Sequence, residues 1–599
     1  MLRTRLSILA VFLSISVTAH AKVEQRFAAV PLTPEQAALV QQSVAREKAT
    51  IQEIQKHSPL VQTYIQNTRP DPELAASPTS DEYMLDRVDF RKGFTAQAYK
   101  SGDQAQGFLQ GPANVFRALS AALKITDSPT GFMDMMFVDV ASYDRAHYDF
   151  VFVRRQFLGQ VRTLVFDVRP KPGTGSGRFL GRIWIEDRNG NIVRFNGTYT
   201  HGDSQQEARS WVHFDSWRDN MQPGVWLPIA IYAEEEQRTG VWKAGGFRAQ
   251  THFWGYSLKA PNQQTQSTSV VVDNVINDSQ SAQDASPLQA QRDWYAHAER
   301  NVLDRLVEAG LVATPSPFDK ILDQVTTNLI LGSKLALPGE IHCRVLLTTP
   351  LESLAVGNTI LISKGLVDVL PNEEDLAAML SFQLAQIAMG HHIDTRYAFD
   401  DQLLFPDETA FQRIQLNHSD RDDLAAAGKA IQILHSSIYQ DKLRNVGLFL
   451  EQLQASAKDL HALMTPRLGD SLFKPDGTPW LSALCSDSVH LEPDNLNQIA
   501  ALPLGSHLRI DAWDDQVRFL STKPEAILNP SEKRPLELTP IYFRLSRYSS
   551  SGTSIAPTSG SSEPAPGNSY YSLLGDGHGM FNLTNSMVVS NGVSWTKIR

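Results

Sequence analysis

From about Phe116 to Tyr256 the chain runs in short stretches of alternating apolar and polar residues, broken by turn residues. Alternation with a period of two puts successive side chains on opposite faces of an extended strand, so each stretch reads as a half-buried β-strand. Val161 to Val168 is one such stretch. Arg178 to Asp187 and Asn191 to Tyr199 form a pair joined by Arg188-Asn189-Gly190. Asn-Gly between alternating runs is a strong hairpin signal, because both residues accept the positive φ of a tight turn. Trp211 to Trp217 and Trp226 to Tyr232 add two more strands. Successive strands joined by short turns pair antiparallel, and one antiparallel sheet is expected.

A chain of 599 residues is too long for one hydrophobic core, so several domains are expected. Thr33-Pro34-Glu35 is a helix start, with Thr as N-cap and Pro in the first turn, and the helix should run to about Lys56. At the N-terminus, Arg3 and Arg5 precede an apolar run from Leu6 to Val17, followed by Ala19-His20-Ala21. That order reads as a secretory signal peptide over 1–21. The rest should be an exported protein, periplasmic or secreted, without a transmembrane span in the mature chain. The formal charge of −10 lacks basic clusters, which excludes nucleic acid as the expected partner. Residues 261–292 have the Gln, Ser, Asn and Asp of a linker, and 549–569 the Ser, Gly, Pro and Thr of a flexible stretch. Arg509 to Leu520 and Leu536 to Leu545 read as strands of a small terminal unit.

A second kind of pattern begins at Gly357. A strand over Thr359 to Ile362 is followed by a Gly-Leu turn, then by Asn372 as N-cap and the acids Glu373, Glu374 and Asp375. Leu376, Leu380, Leu384 and Ile387 recur at helical spacing as one apolar stripe, and Gly390 ends the helix. A zinc peptidase of the HExxH type places two His four residues apart on such a helix, with Glu beside the first as general base. In this chain those slots hold Phe382, Gln383 and Gln386. A phenyl ring ligates no metal, a glutamine takes no proton from water, and a neutral amide is a poor zinc ligand.

Residues from about 340 to 455 are similar to metallopeptidase family forty-eight, the HtpX and CAAX prenyl protease type. The strand, the Gly-Leu turn, the acidic helix entry and His391 carry the resemblance. It implies a fold that is α+β and multidomain: an antiparallel β-sheet domain followed by a mainly helical gluzincin-like peptidase domain. In that family the third zinc ligand is a Glu on a later helix. The matching stretch, Lys442 to Gly447, puts Lys442 in the ligand position. The resemblance therefore implies a pseudopeptidase with no catalytic residue, metal or cofactor, and a Lys442 ammonium filling the vacated site against Gln383 or Gln386. An active zinc metalloendopeptidase with ligands outside the motif is the alternative. In active relatives the strand before the zinc helix pairs with extended substrate, which marks Leu346 to Leu354, including Ser353, as a candidate groove for an extended polypeptide or lipid-bearing client. Gly181 to Asp187 with Asn191 to Gly197 resembles LolA-type lipoprotein carriers, whose sheets have an apolar concave face. Beside that stands the plainer reading that Trp184, Trp211, Trp217, Trp226 and Trp254 fill a core.

The domain order is then a signal peptide at 1–21, a helix and sheet domain at 22–260, a linker at 261–292, a metallopeptidase-like domain at 293–500, and a C-terminal unit at 501–599. Cys343 and Cys485 are the two cysteines, and two outcomes stand open for an exported chain, a disulfide between them or two buried thiols. His391, His392 and Asp394 cluster in sequence, but adjacent His on a helix project about 100° apart and do not share an ion easily. His418, His435 and His461 lack partner spacing and read as ordinary surface or core histidines.

Overall fold

A computed structural model of the chain describes residues 31–71, 75–90, 95–98, 132–175, 177–200, 212–235, 246–257, 287–393, 416–492, 498 and 504–520. The expected signal peptide, Trp211, Asp394, the strand at Leu536 to Leu545, the stretch 549–569 and most of the expected linker lie outside the described residues. The fold is mixed α+β, with a large antiparallel sheet and a helical region.

Ten strands form the sheet: β1 (Leu60–Asp71), β2 (Ala75–Asp89), β3 (Thr95–Ala98), β4 (Tyr148–Leu158), β5 (Val161–Pro170), β6 (Phe179–Glu186), β7 (Ile192–Tyr199), β8 (Val212–Gln222), β9 (Val225–Glu235) and β10 (Gly246–Trp254). Their spatial order is β3-β2-β1-β10-β9-β8-β7-β6-β5-β4, and every pairing is antiparallel. The β6–β7 hairpin turns where Asn189-Gly190 predicts it, with Gly190 at φ 72°. Glu186 is buried beneath that turn and accepts from the amides of Arg188 and Asn189 and from the Asn191 side chain. A side chain thus satisfies the backbone donors that the turn leaves unpaired.

Helix α1 (Pro34–Ile54) begins at Thr33 with a full capping box to Gln36 and crosses one face of the sheet. Its Glu47 is clamped by Arg218 of β8 in a two-pronged pair at 2.6 and 2.8 Å, and both side chains are buried. Phe179, Phe195, Tyr199 and Phe214 form an aromatic cluster of edge-to-face and tilted pairs on the same face, with Phe195 against Arg218. The opposite face is polar. Arg194 lies 4.5 Å from the Trp184 ring and 4.4 Å from the Trp217 ring, and forks onto Asp215 at 2.8 and 2.6 Å. Arg182 pairs with Asp167 on the same face. The strands thus present an apolar face toward α1 and a polar face on the other side. Trp184 and Trp217 sandwich a cation, and like Trp226 and Trp254 they are buried core residues.

The helical region starts with α2 (Pro287–Glu308), inside the segment expected to be linker, and α3 (Pro317–Ser333). A four-stranded sheet follows in the order β11 (His342–Leu346), β13 (Thr359–Ser363), β12 (Glu352–Val356), β14 (Asp470–Ser471). β11 and β13 are parallel and the other pairs antiparallel. In the first turn of the short α4 (Lys364–Val369), directly after β13, sits Gly365, where a Cβ would run into the backbone of Thr349. Then come α5 (Glu373–Met389), α6 (Asp420–His435), α7 (Leu443–Ala457) and α8 (His461–Met464). The strand, turn and capped helix expected over 357–390 all form. The single apolar stripe does not: every residue from Glu374 to Ile387 is buried, so α5 is a central helix packed on all sides. Arg509 to Leu520 folds as a hairpin, β15 (Leu508–Ile510) and β16 (Val517–Phe519), instead of one strand.

The two regions are joined by hydrogen bonds. Asp81 of β2 accepts from the amides of Ala462 and Leu463 in α8, Trp254 donates to the Gly310 carbonyl, and the Gly255 amide donates to Asp515.

Candidate functional site

Gln383 and Gln386 of α5 point into one buried polar cluster. Three further elements complete it: the residue before α6, the first turn of α6, and β14. His418 precedes the α6 N-cap Ser419, and Asp423 lies in the first turn, where carboxylates favour the helix dipole. Asp470 arrives on β14. Its approach is set by Glu352, whose Oε2 accepts from the amides of Arg467, Leu468 and Gly469. The other Glu352 oxygen accepts from Thr348, so this buried carboxylate folds the 467–469 turn around itself.

The Asp470 carboxylate accepts from the His418 amide at 2.7 Å and lies 2.9 Å from His418 Nδ1. Gln383 Nε2 donates to Asp470 Oδ2 and to Ser353 Oγ, each at 2.9 Å. Gln386 Nε2 donates to Asp423 Oδ1 at 2.7 Å, while its Oε1 meets His391 Nδ1 at 2.5 Å. His391 in turn faces Asp422 at 3.7 Å. One ligand-type atom from each of His418, Asp423 and Asp470 lies within 4.8 Å of the others. His418 is 2% exposed, Asp423 4% and Asp470 1%, and both glutamines are fully buried.

Burial strengthens the mutual influence of these charges. Burial and the neighbouring Asp470 carboxylate push the Asp423 carboxyl up to about 7, against the opposing pull of His418 and Gln386. Burial alone would lower His418, but its hydrogen bond and charge pairing with Asp470 outweigh that and raise it. Two polar atoms here lack a partner among the described residues: His418 Nε2 and Gln383 Oε1.

The other expected site residues fall elsewhere. Phe382 is buried and belongs to the core. Lys442 does not fill the position against the glutamines. Its ammonium is half exposed and lies 3.6 Å from Glu374, at the other end of α5. An ammonium near solvent avoids the desolvation that a place among buried amides would cost. Leu346, Ser353 and Leu354 are not an open groove. The span 346–354 breaks between β11 and β12, all three side chains are buried, and β14 covers the β12 edge by pairing with Glu352 and Ser353. Cys343 and Cys485 are both free thiols. Cys343 is buried against Thr326 of α3, and its burial pushes the thiol up to about 12. His392 stacks on Tyr295 and bonds Glu299, apart from the cluster.

Asp423 and Asp470 carry no mark in the sequence, and His418 reads there as an ordinary surface or core histidine. It lies in a capping segment, not inside a helix, and Asp470 is 52 positions away on a two-residue strand. No periodicity links such residues. The local signal was Ser419 as an N-cap with Asp422 and Asp423 after it.

No family model matches the chain and no curated protein matches it. Among solved structures, a LolA superfamily protein from Nitrosomonas europaea is 10% identical, with 38% of this chain and 95% of that chain covered at a TM-score of 0.21. A DUF1329 family protein from Desulfovibrio piger is 9% identical, with 37% and 92% covered at 0.18. MucB in complex with MucA(peri) is 8% identical, with 35% and 93% covered at 0.12. Likenesses of this strength support no functional reading. No helix among the described residues is long and apolar enough to cross a membrane.

Proposed function

We propose that this chain is an exported, non-catalytic binding protein for an extended polypeptide or lipid-bearing client, built on a metallopeptidase-like strand, turn and helix. One observation carries the reading. The two side chains in the acid–base and ligand slots of α5 are fully buried amides whose NH2 groups are committed to Ser353, Asp470 and Asp423. A peptidase needs a base within reach of a water and an open metal position. Buried, hydrogen-bonded amides provide neither.

The client surface then lies away from α5. Among the described residues β4 is a long edge strand paired on one side only, by β5, and its Phe157 is 64% exposed. An unpaired strand edge accepts an extended chain through its backbone groups. A second reading, an active metallopeptidase, draws on the proximity of His418, Asp423 and Asp470 to α5. Their burial speaks against a substrate reaching them.

The test is anisotropy of a fluorescently labelled, permanently unfolded polypeptide, with its integrity followed on a gel. The expected result is saturable binding, weakened several-fold by Phe157→Asp, with the polypeptide intact. Cleavage would revive the enzyme reading. Absence of binding, or binding indifferent to Phe157→Asp, removes the β4 edge as the client surface.

A further inference from the structure

We infer that His418, Asp423 and Asp470 form a binding site for one divalent transition-metal ion of the zinc type, buried and structural, beside the α5 slots and not in them. The inference stands independently of the client-binding reading. Its geometric basis is the convergence of one imidazole and two carboxylates from three separate elements, with one atom of each inside 4.8 Å of the others.

A second observation points to a ligand. Gln383 Oε1 is a fully buried polar atom without a partner among the described residues. A buried polar atom left unsatisfied is destabilising. Gln383 belongs to the cluster through its contact with Asp470. Its amide oxygen and nitrogen are interchangeable by a half-turn of the side chain, which would aim the oxygen at the cluster, with Ser353 Oγ free to donate to it. That orientation places an oxygen against a carboxylate, an arrangement that a cation between them makes favourable.

The surroundings fit an ion site as well. Metal-binding groups are normally held by a second layer of hydrogen bonds. Gln386 holds Asp423, His391 holds Gln386, and the three amides on Glu352 fix the turn that delivers Asp470. Two carboxylates and a neutral imidazole neutralise a doubly charged ion, whereas without it His418 pairs with Asp470 alone and Asp423 has the Gln386 amide. Imidazole with carboxylates suits zinc, and manganese less well; calcium needs six to eight oxygens, more than this cluster offers.

The experiment uses the full mature chain, stripped with chelator and then titrated with Zn²⁺. Bound metal is measured by mass spectrometry after dialysis, and melting temperature is followed in parallel. One ion per chain with a raised melting temperature is expected. His418→Gln and Asp423→Asn should each weaken binding at least tenfold, while His435→Gln, outside the cluster, should leave it unchanged. Gln383→Glu adds a charged ligand, so it should tighten binding and lower the melting temperature of the stripped protein. This variant decides the matter if the loss variants fail to fold. Failure of the wild type to retain zinc overturns the inference. So does retention that survives His418→Gln and Asp423→Asn, or a Gln383→Glu variant that binds no better than wild type.

Discussion

Asp515 occupies a left-handed backbone conformation, at φ 58°, and its carboxylate accepts from the Gly255 amide at 2.7 Å. Burial, with the charges of Asp514 and Asp511, pushes it up to about 8. The folded state therefore holds a proton that an unfolded carboxyl, at an ordinary value of 3.8, has released. The corresponding stability is complete below about pH 4 and is lost as pH rises toward 8. Asn keeps the acceptor, tolerates positive φ and does not titrate. Asp515→Asn should gain stability relative to wild type across that window, by at most roughly 1.4 kcal/mol per pH unit. Urea midpoints at pH 4, 6 and 8 check it, and parallel curves for the two proteins would refute it. At the same scale, Glu47→Ala leaves Arg218 charged and buried, and should cost about 3–5 kcal/mol by chemical denaturation. Neither residue is legible in the sequence. Asp515 falls inside a stretch that reads as strand, and Glu47 is one charge on an ordinary helix, because burial comes from contacts 171 or more positions away.

Elements were more legible than residues. The turn at Asn189-Gly190, the Thr33 cap and the strand-to-helix passage over 357–390 are local features, each set by a few neighbouring residues, and each forms where expected. What was hidden is what crosses between elements. β14 is two residues long, carries no alternation, and exists because Glu352 gathers three amides. Its presence closes the β12 edge. The tight corner between β13 and α4 gives a direct prediction. Gly365→Ala forces a methyl group into the Thr349 backbone. It should destabilise the helical region by about 1–3 kcal/mol or more, as overpacking does. Gly428→Ala is the comparison, since nothing within 4 Å opposes a Cβ there. Equal denaturation midpoints for the two variants would contradict this account of the corner.

On the scale of the whole molecule, the sheet and helical regions meet through a few specific bonds. Asp81→Ala removes the acceptor of two α8 amides and leaves both without partners. Calorimetry should show the melting of the helical region shifted downward relative to the sheet, and limited proteolysis should cut sooner near 461–469. A uniform shift of one transition would mean that the joint does not depend on Asp81.

The strand order also dictates a sequence of events as the chain is made. β1 lies between β2, its neighbour in sequence, and β10, whose Trp254 pairs with Leu60. While a ribosome is still translating the sheet region, the β1–β2 hairpin waits with one side unfilled, and β9 waits likewise on its own side. The last strand made joins the two halves. Closure across so long a separation is slow, and an open strand edge invites association with other chains. A chain stopped before Gly246 would carry two such open edges at once, so premature termination in the middle of this region should yield aggregates, not a smaller folded protein.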